Sequence, residues 1–385
     1  MSTSEPQLTR ASVEAAHELI KPYIHETPVL TSKTLNRIAS TPRTPEELEG
    51  TEWAGQEAAK PVLRLHFKCE NLQRIGAFKA RGAFHAIERL KQKPGWEEGG
   101  SERSKGVITH SSGNHASALA LAATTSSIPS HIIMPSITSP LKMAATKSHH
   151  PSLISVYFSG STSTERESLT AQIQSQTGAT LIPPYDHPDI IAGQGTAALE
   201  LLSQVSPTKL NAVITPCGGG GLLSGTALAC SSTDNDGSKI KVFGSEPSYQ
   251  GADDARRSFY SSSTGEGGAG SRITTVKSLT IADGLRTPVG NLNWSIIYTR
   301  RLVSGIYAVT ESQIKSALRL VLERMKLVVE PSAVVPLAVA LYNEDFRKMV
   351  EEEAGEEGWD LGVIFSGGNV SVEGLAKIFG EEEEK

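Results

Sequence analysis

Short apolar runs, each closed by a loop and followed by a helical stretch, recur along most of this chain. That alternation limits the fold more than any other feature. Strand-like runs fall at residues 62–67, 107–109, 131–134, 155–158, 212–215, 242–245 and 362–365. They are rich in Val, Ile, Leu and Phe and bounded by turn formers. Strands that alternate with helices pair in parallel, because a helix-length crossover returns the chain to the same end of a sheet. The pattern predicts an α/β protein with mostly parallel sheets covered by helices. A chain of 385 residues exceeds one ordinary domain and can bury a large core. Residues 40–60, rich in Thr, Glu and Pro, the charged residues 91–105, and the Ser/Gly-rich residues 231–238 and 261–271 read as surface insertions. The acidic tail, residues 381–385, reads as disordered.

Charge and cysteine content exclude several classes. A net charge of −5 gives no electrostatic case for a nucleic-acid partner. No apolar run is long enough to cross a bilayer, and residues 1–5 lack the apolar centre of a signal peptide. Three cysteines, Cys69, Cys217 and Cys230, cannot all pair, so they read as reduced thiols of a cytoplasmic protein. Nothing around Cys217 forms a metal-ligand set.

Three segments carry chemistry. Lys79 stands in Gly76-Ala77-Phe78-Lys79-Ala80-Arg81-Gly82-Ala83, directly after the strand-like run at 62–67. The partial positive charge of a helix N-terminus disfavours an ammonium there. A lowered pKa would make Lys79 a nucleophilic amine, as a Schiff-base lysine must be. Thr109-His110-Ser111-Ser112-Gly113-Asn114-His115 lies between a strand and a helix. It offers free amides, two hydroxyls and a side-chain amide, a set suited to a carboxylate, although Ser112 or Asn114 could equally serve as a helix cap. Pro216-Cys217-Gly218-Gly219-Gly220-Gly221 follows an apolar strand and opens a helix, which makes a phosphate cradle. No lysine-containing nucleotide loop and no ribose-binding acid accompany these glycines. A nucleophilic lysine, a carboxylate loop and a lysine-free phosphate cup together suggest pyridoxal phosphate handling an amino acid.

With these segments in place, the chain resembles the fold-type II pyridoxal-phosphate enzymes. Within them it is most similar to the serine racemase and serine/threonine/3-hydroxyaspartate dehydratase family. The matching motifs run in fixed order from about residue 10 to residue 375. They include Phe67-Lys68-Cys69-Glu70-Asn71-Leu72-Gln73, Ile191-Ala192-Gly193-Gln194-Gly195-Thr196, Thr280-Ile281-Ala282-Asp283-Gly284, Val329-Glu330-Pro331-Ser332-Ala333 and Ser366-Gly367-Gly368-Asn369-Val370. The resemblance implies a tryptophan-synthase-β-like fold with two open twisted sheets. It implies a large cofactor domain, residues 1–105 and 187–385, and a small mobile domain, residues 106–186, inserted in it. It also implies a homodimer.

The same resemblance assigns roles. Lys79 would hold the cofactor aldehyde and then act as base on one face of Cα. Phe78 would pack against the ring, Asn114 would contact the 3-oxygen, and Ser366 would face the pyridine nitrogen. Gly218, Gly219, Gly220 and Gly221 would bind the phosphate. With a neutral hydroxyl at Ser366 the ring nitrogen need not be protonated, which moderates the electron sink and favours proton exchange and β-elimination. Ser111, Ser112, Asn114 and His115 would line the carboxylate site, with Ser112 as the base opposite Lys79. Arg166 would close on the substrate carboxylate or pair with a β-carboxylate. Glu246, the Ala252 carbonyl and Asp254 would bind a hard cation, Mg²⁺ or alternatively Ca²⁺ or Mn²⁺. Tyr249-Gln250-Gly251 lengthens that segment, and Tyr185 replaces an asparagine of mammalian serine racemases. The implied activity is racemisation and β-elimination of hydroxy amino acids, chiefly serine. The alternative is a threonine/serine or threo-3-hydroxyaspartate dehydratase with little racemisation.

Overall fold

The computed structural model describes residues 8–111, 113–136, 140–160, 162–231, 239–261 and 270–380. Ser112, most of both Ser/Gly-rich stretches and the tail at 381–385 lie outside these described residues. Among the described residues, ten strands form two sheets: β1 Val29–Thr31, β2 Leu63–Cys69, β3 Val107–His110, β4 Ser130–Pro135, β5 Ile154–Ser159, β6 Thr180–Leu181, β7 Ala212–Pro216, β8 Lys241–Pro247, β9 Gly305–Val309 and β10 Trp359–Phe365. The six-stranded sheet has the order β1-β2-β10-β7-β8-β9 and is parallel except for β1, which runs antiparallel to β2. The four-stranded sheet, β5-β4-β3-β6, is wholly parallel. All seven expected runs are strands. The three others are short or weakly patterned: β1 has three residues, β6 has two, and the edge strand β9 is Gly-Ile-Tyr-Ala-Val.

Helices pack on both faces of the larger sheet. On one face the largely apolar helix Pro331–Tyr342 buries Val334, Val335, Leu337 and Val339 against β7, β8, β9 and β10. On the other, Pro188–Gln204 and Gly221–Ala229 form a second core with the N-terminal helix Arg10–Ile20. Glycines set the helix spacing here. A Cβ on Gly193 would lie 2.6 Å from Gly82 Cα, and one on Gly195 would lie 2.5 Å from the Gly225 carbonyl. The helix Pro188–Gln204 is thereby pressed against both the helix Lys79–Lys91 and the helix that follows the glycine run. This contact fixes the relative position of the two candidate cofactor elements.

Two expected surface insertions are tied down. Trp53 is 7% exposed and its indole N–H donates to Asp345 at 2.9 Å, while the Ala59 amide donates to Glu344 at 2.8 Å. Trp96 is buried in the core beneath Lys79–Lys91. A single aromatic within a polar stretch supplies enough buried area to dock it.

Candidate active site

The end of β10 holds the lysine loop in place. The Phe78 amide donates to the Ser366 carbonyl at 3.0 Å, and Ala77 bridges Gly367. Phe78 caps the helix, so Lys79 is its first residue, as expected. Its Nζ lies 5.0 Å from the Phe78 ring centroid and donates to the Pro184 carbonyl at 2.7 Å. Burial pushes the Lys79 amine down to about 8, against the pull of Glu330. The expected direction holds, but the cause differs, since removal from water and not the helix terminus dominates. Ser366 is 3% exposed, and its hydroxyl bonds to no described residue.

The glycine run turns between β7 and the helix Gly221–Ala229. Gly220 has φ +90°, where a side chain is strained. A Cβ on Gly219 would lie 2.3 Å from the Tyr185 ring, which therefore rests on this turn. The Gly219 carbonyl accepts from Asn293 Nδ2 and the Gly290 amide, both at 3.0 Å. Among the described residues, no carbonyl accepts from the amides of Gly218, Gly219 or Gly220. Unpaired amides at a helix start fit an anion.

The carboxylate loop is brought to the same place. The Ser111 amide pairs with the Ile133 carbonyl, and its hydroxyl accepts from the Gly113 amide at 3.3 Å. Asn114 opens the next helix, and its Nδ2 donates to both Glu330 oxygens, at 3.1 and 3.2 Å. Its Oδ1 accepts from Asn369 at 2.8 Å. His115 is 2% exposed, and its Nε2 donates to the Ile182 carbonyl at 3.2 Å. Burial, then the Lys79 charge, push His115 down to about 3, so it is neutral. Arg166, on the helix Ser163–Thr177, is close enough to His110 that its charge helps burial lower the pKa of that imidazole, and it also acts on the Tyr185 phenol.

Several contributors escaped sequence reasoning. Glu330 stands beside Lys79, Asn114 and Gly367, but its segment carried no assigned role. Arg81, two residues after Lys79, is fully buried and spends all five N–H groups. It holds Glu70 at 2.7 and 2.8 Å, Glu200 at 2.8 Å twice, and Thr196 at 3.2 Å. Lys68 completes this set through Glu200 and the Thr27 carbonyl, both at 2.7 Å. Two cations and two carboxylates thus pin the Lys79 helix to β2 and to Pro188–Gln204. Charged residues at fixed places around a buried helix were the available signal.

Below the glycine run, Glu246 and Asp254 lie side by side. Glu246 accepts from the amides of Ala255 at 3.2 Å and Arg256 at 2.8 Å, and Asp254 accepts from Val289 at 3.1 Å. Burial, then the Asp254 charge, push Glu246 well up, and burial raises Asp254 to about 6. Neither forms an ion pair with a described side chain. Two adjacent buried carboxylates, with the buried Cys217 thiol within reach of both charges, offer oxygen ligands of the kind a hard cation takes. Ala252 is fully buried at the end of the Tyr249–Gly251 turn, where Gln250 and Gly251 are both left-handed.

Comparison with known proteins agrees with this geometry. The family model described as pyridoxal-phosphate dependent enzyme matches residues 51–367. The serine racemase of Dictyostelium discoideum is 40% identical, covering 96% of this chain and 98% of that protein. The L-threo-3-hydroxyaspartate ammonia-lyase of Saccharomyces cerevisiae is 38% identical, covering 98% of each. The structure of maize serine racemase superposes with a TM-score of 0.78 at 35% identity, covering 98% of each chain. The chain is a member of the pyridoxal-phosphate-dependent enzyme family.

Proposed function

We propose that this enzyme racemises serine and also eliminates water from it, giving pyruvate and ammonia. The observation that carries this reading is a buried Lys79 amine, lowered to about 8 and bonded to the Pro184 carbonyl next to the Tyr185 that rests on the glycine turn, in a chain 40% identical to a serine racemase. Pyridoxal phosphate, when bound, supplies an electron sink that acidifies the Cα–H of an amino acid. Gly218, Gly219, Gly220 and Gly221 would hold its phosphate by their amides, Phe78 would pack on the ring, Asn114 would donate to the 3-oxygen, and the Ser366 hydroxyl would meet the ring nitrogen. Lys79 Nζ takes or returns the Cα proton on one face, and its lowered pKa lets it do both near neutral pH. Ser112 Oγ holds the proton on the opposite face.

Ser111, Ser112, Asn114 and His115 bind the substrate carboxylate, and Arg166 closes over it. Neutral His115 can give this anion no full charge, so the arginine supplies it. Glu246, the Ala252 carbonyl and Asp254 hold Mg²⁺, with Ca²⁺ or Mn²⁺ as substitutes. Residues 106–186 form the small mobile domain, and residues 1–105 and 187–385 the large one. The enzyme works in the cytoplasm as a homodimer.

A second reading is a dehydratase for threonine or threo-3-hydroxyaspartate with little racemisation. It is favoured by the Tyr185 ring resting on Gly219 and by the 38% identity to a hydroxyaspartate ammonia-lyase. The test is to offer L-serine, D-serine, L-threonine and L-threo-3-hydroxyaspartate with pyridoxal phosphate and Mg²⁺. Keto acid and opposite enantiomer are both quantified. Enantiomer and pyruvate from serine support the first reading. Keto acid alone, fastest from hydroxyaspartate or threonine, replaces it with the second.

A further inference from the structure

Asn369 joins the two halves of the site through one nitrogen. Its Nδ2 donates to the Ile75 carbonyl at 2.7 Å and to Asn114 Oδ1 at 2.8 Å. Ile75 stands four residues before Lys79 with φ +58° and ψ 9°. A β-branched side chain is strained in that left-handed region, so the conformation persists only where surrounding contacts impose it. The Gly368 amide, donating to the Gly76 carbonyl at 2.9 Å, is a second such contact from the same segment.

The amide of Asn114 has its orientation imposed from both ends. A carboxylate can only accept, so the nitrogen of Asn114 must face Glu330. Its oxygen then meets the Asn369 N–H. The reversed amide would set an oxygen against Glu330 and an N–H against an N–H. Two amide protons of Asn369 are both used, one on the lysine loop and one on the helix that Asn114 opens. We propose that Asn369 is a positioning residue: it fixes which way the Asn114 amide faces, with its nitrogen held on the Glu330 side, and ties it to the Lys79 loop. This rests on the reading that Asn114 contacts the cofactor.

The test is a double-mutant cycle on pyridoxal phosphate affinity, with the visible band of the bound cofactor followed against pH. Asn369→Ala removes two neutral hydrogen bonds, and the loss of the one to Asn114 predicts cofactor binding weakened about five- to tenfold and a shifted pH titration of the band. In an Asn114→Ala background the same change should alter affinity less than about twofold, because the residue it acts through is gone. Asn369→Asp keeps the shape but removes both donors and draws the Asn114 nitrogen away from Glu330, so its loss should exceed that of Asn369→Ala. Apoprotein melting temperatures check that each variant folds. Additive losses, or an Asn369→Ala protein with wild-type affinity and band, overturn the inference while leaving the site intact. An Asn114→Ala protein that binds cofactor as wild type does overturns the assignment of Asn114 itself, and the inference with it.

Discussion

Replacing Arg81 by Met tests whether the buried charge network holds the lysine helix. The guanidinium is fully buried and makes five hydrogen bonds, four of them to Glu70 and Glu200. In the intact network two cations face two carboxylates. Arg81→Met leaves Lys68 alone against both acids, one buried negative charge without a partner. Breaking a buried pair in this way costs about 3–5 kcal/mol. Burial alone would raise the Glu200 carboxyl, but the Arg81 hydrogen bonds and charge, then Lys68, hold it below the usual carboxylate range. In the wild type this contribution is therefore complete above about pH 4.5 and lost below it. In the variant burial is opposed by Lys68 only, and protonation moves to higher pH. The stability gap should then narrow by on the order of 1 kcal/mol between pH 7.5 and 5.5. Adding Glu70→Gln removes the excess charge and should recover about 2 kcal/mol. Urea unfolding followed by tryptophan fluorescence at both pH values reads all of this. A gap that does not change with pH, together with a double variant whose losses simply add, would refute the reasoning.

Three further outcomes are expected. The rate at which apoprotein takes up pyridoxal phosphate should rise with pH through a midpoint near 8, following the neutral fraction of Lys79; a midpoint near 10.5 would mean that burial does not tune the amine. Gly219→Ala sets a Cβ 2.3 Å from the Tyr185 ring, so cofactor affinity by equilibrium titration should fall at least about tenfold; wild-type affinity would show that the turn yields freely. Chelation should lower activity or melting temperature of the wild type, and Glu246→Ala should do so beyond rescue by Mg²⁺; a wild type indifferent to chelators would remove the metal.

What could be read from the chain depends on how local each feature is. Lys79 and the glycine run each sit in a continuous strand–turn–helix segment, so their residue types and neighbours reveal them. All seven apolar runs became strands for the same reason. The partners of these residues are not local. Glu330 meets Asn114 across 216 positions, Asn369 meets Ile75 across 294, and Glu200 meets Arg81 across 119. No periodicity links such positions, and only the packing of two sheets brings them together. Short strands such as β6, and β9 with its Gly and Ala, gain their form from a neighbouring ladder and carry little pattern of their own. The lysine pKa was legible in direction but not in cause, because the depth of burial is a property of the assembled fold.

The most direct test of the central claim is the incubation of L-serine with the holoenzyme in deuterated water, analysed by chiral chromatography and mass spectrometry. The account predicts D-serine carrying deuterium at Cα, formed alongside pyruvate. Lys79→Ala should abolish both products. Ser112→Ala should abolish D-serine far more than pyruvate. Pyruvate without any deuterated D-serine from the wild type, or D-serine formed by Lys79→Ala, would contradict it.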